Sequence, residues 1–399
     1  MGLQIRKLYI LAPKMKILFV HNSYSDKTPS GEEHASWELS ALLEEHGHEV
    51  KWFKRSSDEI RSGLGPLKSF FTGIYNPSSA RKLAKMLDEY KPDIVQVQNL
   101  YPLLSSSIFK PIKKRGIPVV MRCPNYRLFC PAGLCLNSKG EVCEKCFGGK
   151  EWHCIASNCE QGIMKSIGYA LRNAYSRASH NITNSVDRYI VQSEFQKQKF
   201  IVQGIPADNL VILPGICPEI KVSDEDIKGE YVSFVGRVSP EKGIYEFIEA
   251  AKMNPTLPFK VAGMLDKNFT IPQDCPPNVE FVGFLKGDEL NEFYLKSKII
   301  VVPSKWYEGF PNVITRGMLL KRPVITTNIG AMPSIIDNDV HGFLVEPGNA
   351  IQLGESIARL YNDDNKCKAF GIAGYEKARI HYSREAVYNI LIDTYASLI

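Results

Sequence analysis

Two short stretches carry residues whose types and spacing could do chemistry. In "EGFPNVITRGM", Glu308 precedes Gly309 and Pro311, and an apolar, helix-like run follows. That order sets the free N–H groups of a helix start beside a carboxylate, an arrangement that holds an anionic ligand. In "FVGRVSPEKG", residues 234–243, a strand ends at Gly236, Arg237 follows, and Lys242-Gly243 opens a helix. Two cations at such a turn suit a diphosphate, Arg as a fork and Lys as a point charge. The plainer alternative is surface charge at a helix start. A third stretch is different in kind: seven of the ten cysteines fall between Cys123 and Cys159. Cys143-x-x-Cys146 followed by Cys154 and Cys159 has the spacing of a structural zinc knuckle, with Cys130, Cys135 and His153 as competing ligands. Free thiols packed in a loop are the alternative reading.

The elements that must position these residues alternate between strand and helix. Apolar runs at 16–22, 49–54, 93–99, 118–123 and 188–193 read as strands, and helical patterns such as "SARKLAKMLDEY", "SSIFKPIKKR" and "KSIGYALRNAYS" separate them. Alternation of this kind predicts a parallel sheet covered on both faces. The stretch "ICPEIKVSDEDIKGE", 216–230, is polar and acidic and reads as a linker. A second series starts at 231–237 and continues through 259–264, 279–284, 299–304 and 323–328. The expected organisation is an extension at 1–13, a first domain at 14–215 with a Cys-rich insertion at 124–160, and a second domain at 231–380. A helix at 381–399 is expected to return to the first domain. Two doubly wound Rossmann-like α/β domains place a ligand in the cleft between them, at the carboxyl ends of strands.

The chain has 399 residues, 44% apolar and 23% charged, the composition of a globular protein. Its apolar runs are too short to span a membrane, and the N-terminal stretch is a poor signal peptide. A reducing compartment follows, which favours metal or free thiols over disulfides. The net charge of +6 is unevenly placed. Residues 1–200 carry 29 Lys+Arg against 18 Asp+Glu, net +11, and the remainder carries 20 against 25, net −5. No nucleic-acid module or interleaved aromatic pattern accompanies the basic half, so an anionic lipid surface or lipid-linked acceptor is the preferred partner and nucleic acid is not.

Taken together, "SGEEHASWELSALLEEHGHEV", "KPDIVQVQNLYPLLS", "NYRLFCP", "FVGRVSPEKG", "EGFPNV", "RPVI" and "GFLVEPGN" resemble the family 4 retaining glycosyltransferases. The resemblance runs over nearly the whole chain, as a subgroup with a Cys-rich insertion in the first domain. It implies the GT-B fold, a nucleotide-diphosphate sugar donor, a hydroxyl acceptor and transfer with retention, without a catalytic metal. It further implies a cytoplasmic enzyme, peripheral on the inner face of the membrane and acting in surface polysaccharide assembly. By position, Arg237 and Lys242 would neutralise the donor diphosphate and Glu308 would contact the donor sugar hydroxyls. The amides of Gly309, Phe310, Asn312 and Val313 would orient sugar and phosphate, with Gly236 beside them. Gly31 sits in the first-domain loop that approaches the donor.

Three departures from the family pattern stand out. Arg316 occupies the place of a second glutamate that accepts from the nucleotide ribose, and an arginine only donates. Its expected partners are Glu308 or a donor phosphate. Gln96 and Gln98 stand where relatives carry histidines, and Pro124 stands where they carry an active-site histidine. His21, at the end of the first strand, is expected to be a polar cleft residue. A degenerate nucleotide-sugar-binding module without turnover is the rival reading.

Overall fold

The computed structural model describes residues 13–24, 31–60, 65–216, 229–267 and 269–399. The extension expected at 1–13 and the linker at 216–230 lie almost wholly outside these residues, as does Cys217. Among the described residues, twelve strands form two six-stranded sheets. In the first, β1 (Lys16–Ser23), β2 (Glu49–Ser56), β3 (Ile94–Asn99), β4 (Val119–Arg122), β5 (Arg188–Val191) and β6 (Leu210–Ile212) run in the order β2-β1-β3-β4-β5-β6. In the second, β7 (Tyr231–Val235), β8 (Phe259–Ala262), β9 (Val279–Gly283), β10 (Ser297–Val302), β11 (Val324–Thr327) and β12 (Gly342–Val345) run in the order β12-β11-β10-β7-β8-β9. Every pairing is parallel.

Parallel strands must be covered on both faces, which is why their sequences read as near-continuous apolar runs. Strand β1 shows how one run serves two cores, because successive side chains alternate. Leu18 and Val20 join Val95, Val97 and the helix residues Leu83 and Leu87 on one face. Ile17 and Phe19 join Ile94, Val120 and Leu39, Leu42 and Leu43 of the helix Gly31–Glu45 on the other. Ala35, on the same helix, lines the interdomain cleft. The insertion contributes no strand to either sheet; it holds the short helix Trp152–Ala156 and an isolated bridge between Leu136 and Val142.

The last helix, Arg384–Ala396, packs on the first sheet. Val387, Leu391, Ile392 and Tyr395 share a core with Met15, Ile17 and Phe19, and Arg384 pairs with Glu38 and Glu45 at 2.9 and 2.7 Å. Each large apolar side chain so buried contributes roughly 1.5–3 kcal/mol. The halves also meet at the cleft, where Tyr307 lies edge-on to Phe195 and Tyr126, at ring distances of 4.7 and 6.2 Å.

In each sheet the chain reverses its direction of strand addition once, and at such a point the loops part to leave a crevice. In the first sheet this lies between β1 and β3, in the second between β7 and β10.

Candidate active site

The two stretches singled out in the sequence leave the second sheet at that point of reversal. Strand β7 ends and gives Gly236, Arg237 and the 3₁₀ turn Pro240–Lys242, which leads into the helix Ile244–Met253. Strand β10 ends and gives the loop bearing Glu308, which leads into the helix Asn312–Leu319. Backbone and charge knit them together. Lys305 N donates to Glu241 O at 2.9 Å, and Lys305 Nζ pairs with Glu246 at 2.8 Å. Gly243 makes this contact feasible: its φ is +81°, and a Cβ there would lie 1.9 Å from Pro303 O.

At the centre is Glu308, 6% exposed. Its Oε1 accepts from Lys242 Nζ at 2.6 Å, Ser304 Oγ at 2.7 Å and Trp306 Nε1 at 3.0 Å. Burial pushes its carboxyl up, but Lys242 and the two further donors more than offset this and hold it below the usual carboxylate range. Lys242 Nζ also lies 5.3 Å from the Trp306 ring centre. Arg237, half-exposed, is held by Glu241 and by Asp266, the latter at 3.2 Å.

A cleft of about 810 Å³ unites these groups with the first domain. Arg237, Lys242, Glu308, Gly309, Phe310 and Asn312 line it from the second domain, opposite Gly31, Glu32, Arg122, Pro124 and Arg127 of the first. A Cβ on Gly31 would meet nothing within 4 Å, so this position faces open space. Gly309 is crowded: a Cβ there would lie 2.7 Å from both Pro124 O and Gln192 Oε1 of the other domain. Gly236 instead lines a side pocket of about 380 Å³ that shares Arg237 with the cleft. Val313 lines neither hollow and packs against the core beneath the helix.

Two expectations need correction. Arg316 lines neither hollow; its Nη2 donates to Asn291, and its guanidinium lies 5.1 Å from the Tyr294 ring centre. The helix turns this position toward its neighbour Gly287–Lys296, so Arg316 meets no Glu308 carboxylate. His21 is not a cleft residue. It is 2% exposed, lies edge-on to Trp52, and stands 3.6 Å from Glu33, while burial pushes its pKa down. Gln96 is likewise buried, bonded to Tyr395 of the last helix.

The cysteines of the insertion, expected to hold a metal or to stand as free thiols, fall in two neighbouring groups. Among the described residues no three His, Cys, Asp or Glu side chains are grouped to hold a metal. Cys146, Cys154 and Cys159 pack around Ala170 as small hydrophobic groups, while Cys130 and Cys135 belong to the main core of the first domain. Cys143 is tied by its N–H to Cys135 O at 2.8 Å.

Sequence reasoning overlooked the side pocket. Met264, Leu265 and Phe284, 63%, 48% and 63% exposed, stand just beyond the carboxyl ends of β8 and β9. Apolar side chains left in water at that end of a sheet were the available signal.

The family model "Glycosyl transferases group 1" matches residues 218–377. The chain is 25% identical over 279 residues to an uncharacterised 42.6 kDa protein in the cps region of Klebsiella pneumoniae, covering 69% of this chain and 68% of that one. It is 25% identical over 233 residues to the capsular polysaccharide biosynthesis glycosyltransferase CapM of Staphylococcus aureus, covering 52% and 60%. These alignments take in only part of each relative. Among solved structures it is similar to Anabaena HepE in complex with UDP, at 18% identity and a TM-score of 0.67, over 96% of this chain and 100% of that one. The fold is GT-B, and over residues 218–377 the chain resembles the group 1 glycosyl transferases.

Proposed function

We propose that the protein transfers a sugar from a nucleotide-diphosphate donor to a hydroxyl acceptor, with the anomeric configuration retained. One observation carries the reading: Arg237 joins the cleft to the side pocket. A donor has a flat base, an anionic middle and a polar sugar, and this sequence of surfaces suits all three. The base would enter the side pocket among Met264, Leu265 and Phe284. The diphosphate would lie against Arg237 and Lys242, and the sugar against Glu308. Oε2 of Glu308 accepts from none of the described residues and is left for sugar hydroxyls. The N–H groups of Gly309 and Phe310 bond to no described residue and stand at a helix start, where partial positive charge accumulates.

In this mechanism the two cations and the helix start offset charge that develops on the departing diphosphate, with no requirement for a metal. The acceptor would attack from the leaving-group face, and the diphosphate oxygen would take its proton. HepE has been solved with UDP-glucose, so that donor is the first to test.

The acceptor is proposed to be a lipid-linked saccharide of a surface polysaccharide, because relatives include CapM. No helix among the described residues is long and apolar enough to cross a membrane. A peripheral docking face is proposed on the first domain, where the helices Gly65–Ile74, Trp152–Ala156 and Ile163–Ser179 meet. They expose Phe71, Trp152, Ile163 and Met164, at 61%, 59%, 53% and 65%. A cytoplasmic, inner-face location goes with that proposal.

The rival, binding without turnover, draws on the internal pairing of both cations, Arg237 with Glu241 and Asp266, and Lys242 with Glu308. A nucleotide-sugar panel, assayed for binding and for slow donor hydrolysis, separates the two. Binding without hydrolysis, even with acceptor-containing extract, supports the rival; no binding sinks both.

A further inference from the structure

At the floor of the cleft, on the first-domain side, a buried cation has no acid to match it among the described residues. Arg122 ends β4 and is 5% exposed. Its Nη1 reaches only Ser36 Oγ at 3.3 Å and Glu32 O at 3.4 Å. No carboxylate of the described residues lies within ion-pair distance of it. Glu32 is the nearest candidate in the cleft wall, but its Oε1 is taken by Asn125 Nδ2 at 2.8 Å and its Oε2 by Tyr24 OH at 3.0 Å. Arg127, beside it, spends Nη1 on Tyr24 OH and Asn99 Oδ1, at 2.9 and 3.1 Å, and pairs with no acid either. Gln98 is the last residue but one of the neighbouring strand β3. Its Oε1 faces Ser36 Oγ at 3.2 Å, while its Nε2 is buried without a hydrogen-bond partner.

Arg122, Arg127, Gln98 and Glu32 line one small cavity of about 30 Å³, room for a single oxygen-sized group. It opens on the main cleft, sharing Glu32, Arg122, Pro124, Asn125 and Arg127 with it. A buried cation without a counter-charge is costly, and so is a buried amide donor without an acceptor. A carboxylate or phosphate oxygen entering from the cleft would remove both costs; a neutral hydroxyl would remove only the second.

We infer that this pocket is an oxyanion subsite, and that the acceptor saccharide carries an acidic group, a carboxylate or a phosphate, which docks on Arg122 and Gln98. The inference rests on the donor reading above for its assignment to the acceptor: the donor groups belong to the second domain, across the cleft. Arg122 would then select the acceptor by charge and set its height above the donor sugar.

Calorimetric titration of the full chain, with and without UDP, tests this using glucuronic acid, glucose 1-phosphate and glucose as probes. The acidic probes should bind about ten- to a hundredfold more tightly than glucose, the range expected for charge-assisted hydrogen bonds. Preference for the uronate identifies a carboxylate source; preference for the sugar phosphate identifies a phosphate source. Arg122→Gln should abolish the preference, whereas Arg122→Lys should keep part of it. Gln98→Glu, which supplies an internal counter-charge across Ser36, should abolish the preference while raising the melting temperature. That second variant keeps the test decisive where Arg122→Gln does not fold. Equal binding of acidic and neutral probes, or an unchanged preference in Gln98→Glu, overturns the inference. If UDP alone fails to bind, the donor reading falls separately, because the acidic probes are also titrated without it.

Discussion

Lys242 Nζ lies 2.6 Å from Glu308 Oε1, across 66 residues of sequence. The cation assigned to the diphosphate is thus already held by the acid assigned to the sugar. Lys242→Ala leaves a buried carboxylate with only Ser304 and Trp306 as donors, a loss of about 1.5–3 kcal/mol of stability. The same change should also lower kcat/KM. Parental stability with near-parental kcat/KM would remove the pair from both roles.

The depressed pKa of Glu308 gives this pair a pH dependence. Its folded value lies below the unfolded one, so the pair's stabilisation is complete above the unfolded carboxylate range and disappears as pH falls through the folded value. Glu308→Gln should therefore be less stable than the parent at pH 7 and converge with it in acid. Parallel stability curves from pH 7 down to about 3 would contradict this.

Arg237 should behave oppositely to Lys242. Half-exposed ion pairs contribute little, so Arg237→Ala should shift stability by no more than about 1 kcal/mol. Its kcat/KM should nevertheless fall about 10²–10³-fold if the guanidinium offsets charge on the leaving group. A loss confined to KM would make Arg237 a binding group only.

Arg316→Glu is a test of orientation. The guanidinium serves Asn291 and Tyr294, so the change should cost about 1 kcal/mol in stability and leave UDP affinity within about twofold. A tenfold gain in UDP affinity would mean that the position reaches the ribose after all.

Membrane docking through the first domain predicts salt-sensitive binding to anionic vesicles. The double change Trp152→Ser with Met164→Ser should weaken it at least about tenfold, since each side chain contributes roughly 1.5–3 kcal/mol when buried. Equal affinity for neutral vesicles would argue against an anionic surface, and an unchanged affinity in the variant would move the docking face elsewhere.

The thiols packed around Ala170 predict that chelator leaves the melting temperature unchanged and that purified protein holds well under one zinc per chain. One tightly held zinc per chain would show that the insertion rearranges around metal.

Ten of the twelve strands were legible, most of them as apolar runs. Strands β6 and β12, both at sheet edges, were not: β6 is only three residues long and carries too little periodicity, while β12 is as long as β4, β5, β8 and β11, so its length does not explain why it was missed. Arg237, Lys242 and Glu308 were legible as chemistry, each beside a strand end. Their mutual pairing was not, because no local pattern links residues 242 and 308. Arg316 was misjudged because its direction depends on which neighbour the helix packs against, a tertiary fact. Arg122 passed unnoticed as the last residue of an apolar strand; only the fold reveals that no acid meets it.

The last helix closes the core that β1 opens. Tyr395 and Leu391 cover Ile17 and Phe19, residues made more than 370 positions earlier in the chain. During synthesis the part of that face not covered by the helix Gly31–Glu45 waits, open to water, until the final helix emerges. At roughly 5–20 residues per second the wait is on the order of 20–75 s. The first half is therefore the later one to finish, and the second can complete its own sheet beforehand. A nascent chain stalled before residue 384 would leave that apolar face only partly covered, by the helix Gly31–Glu45, a natural target for chaperones and for aggregation alike.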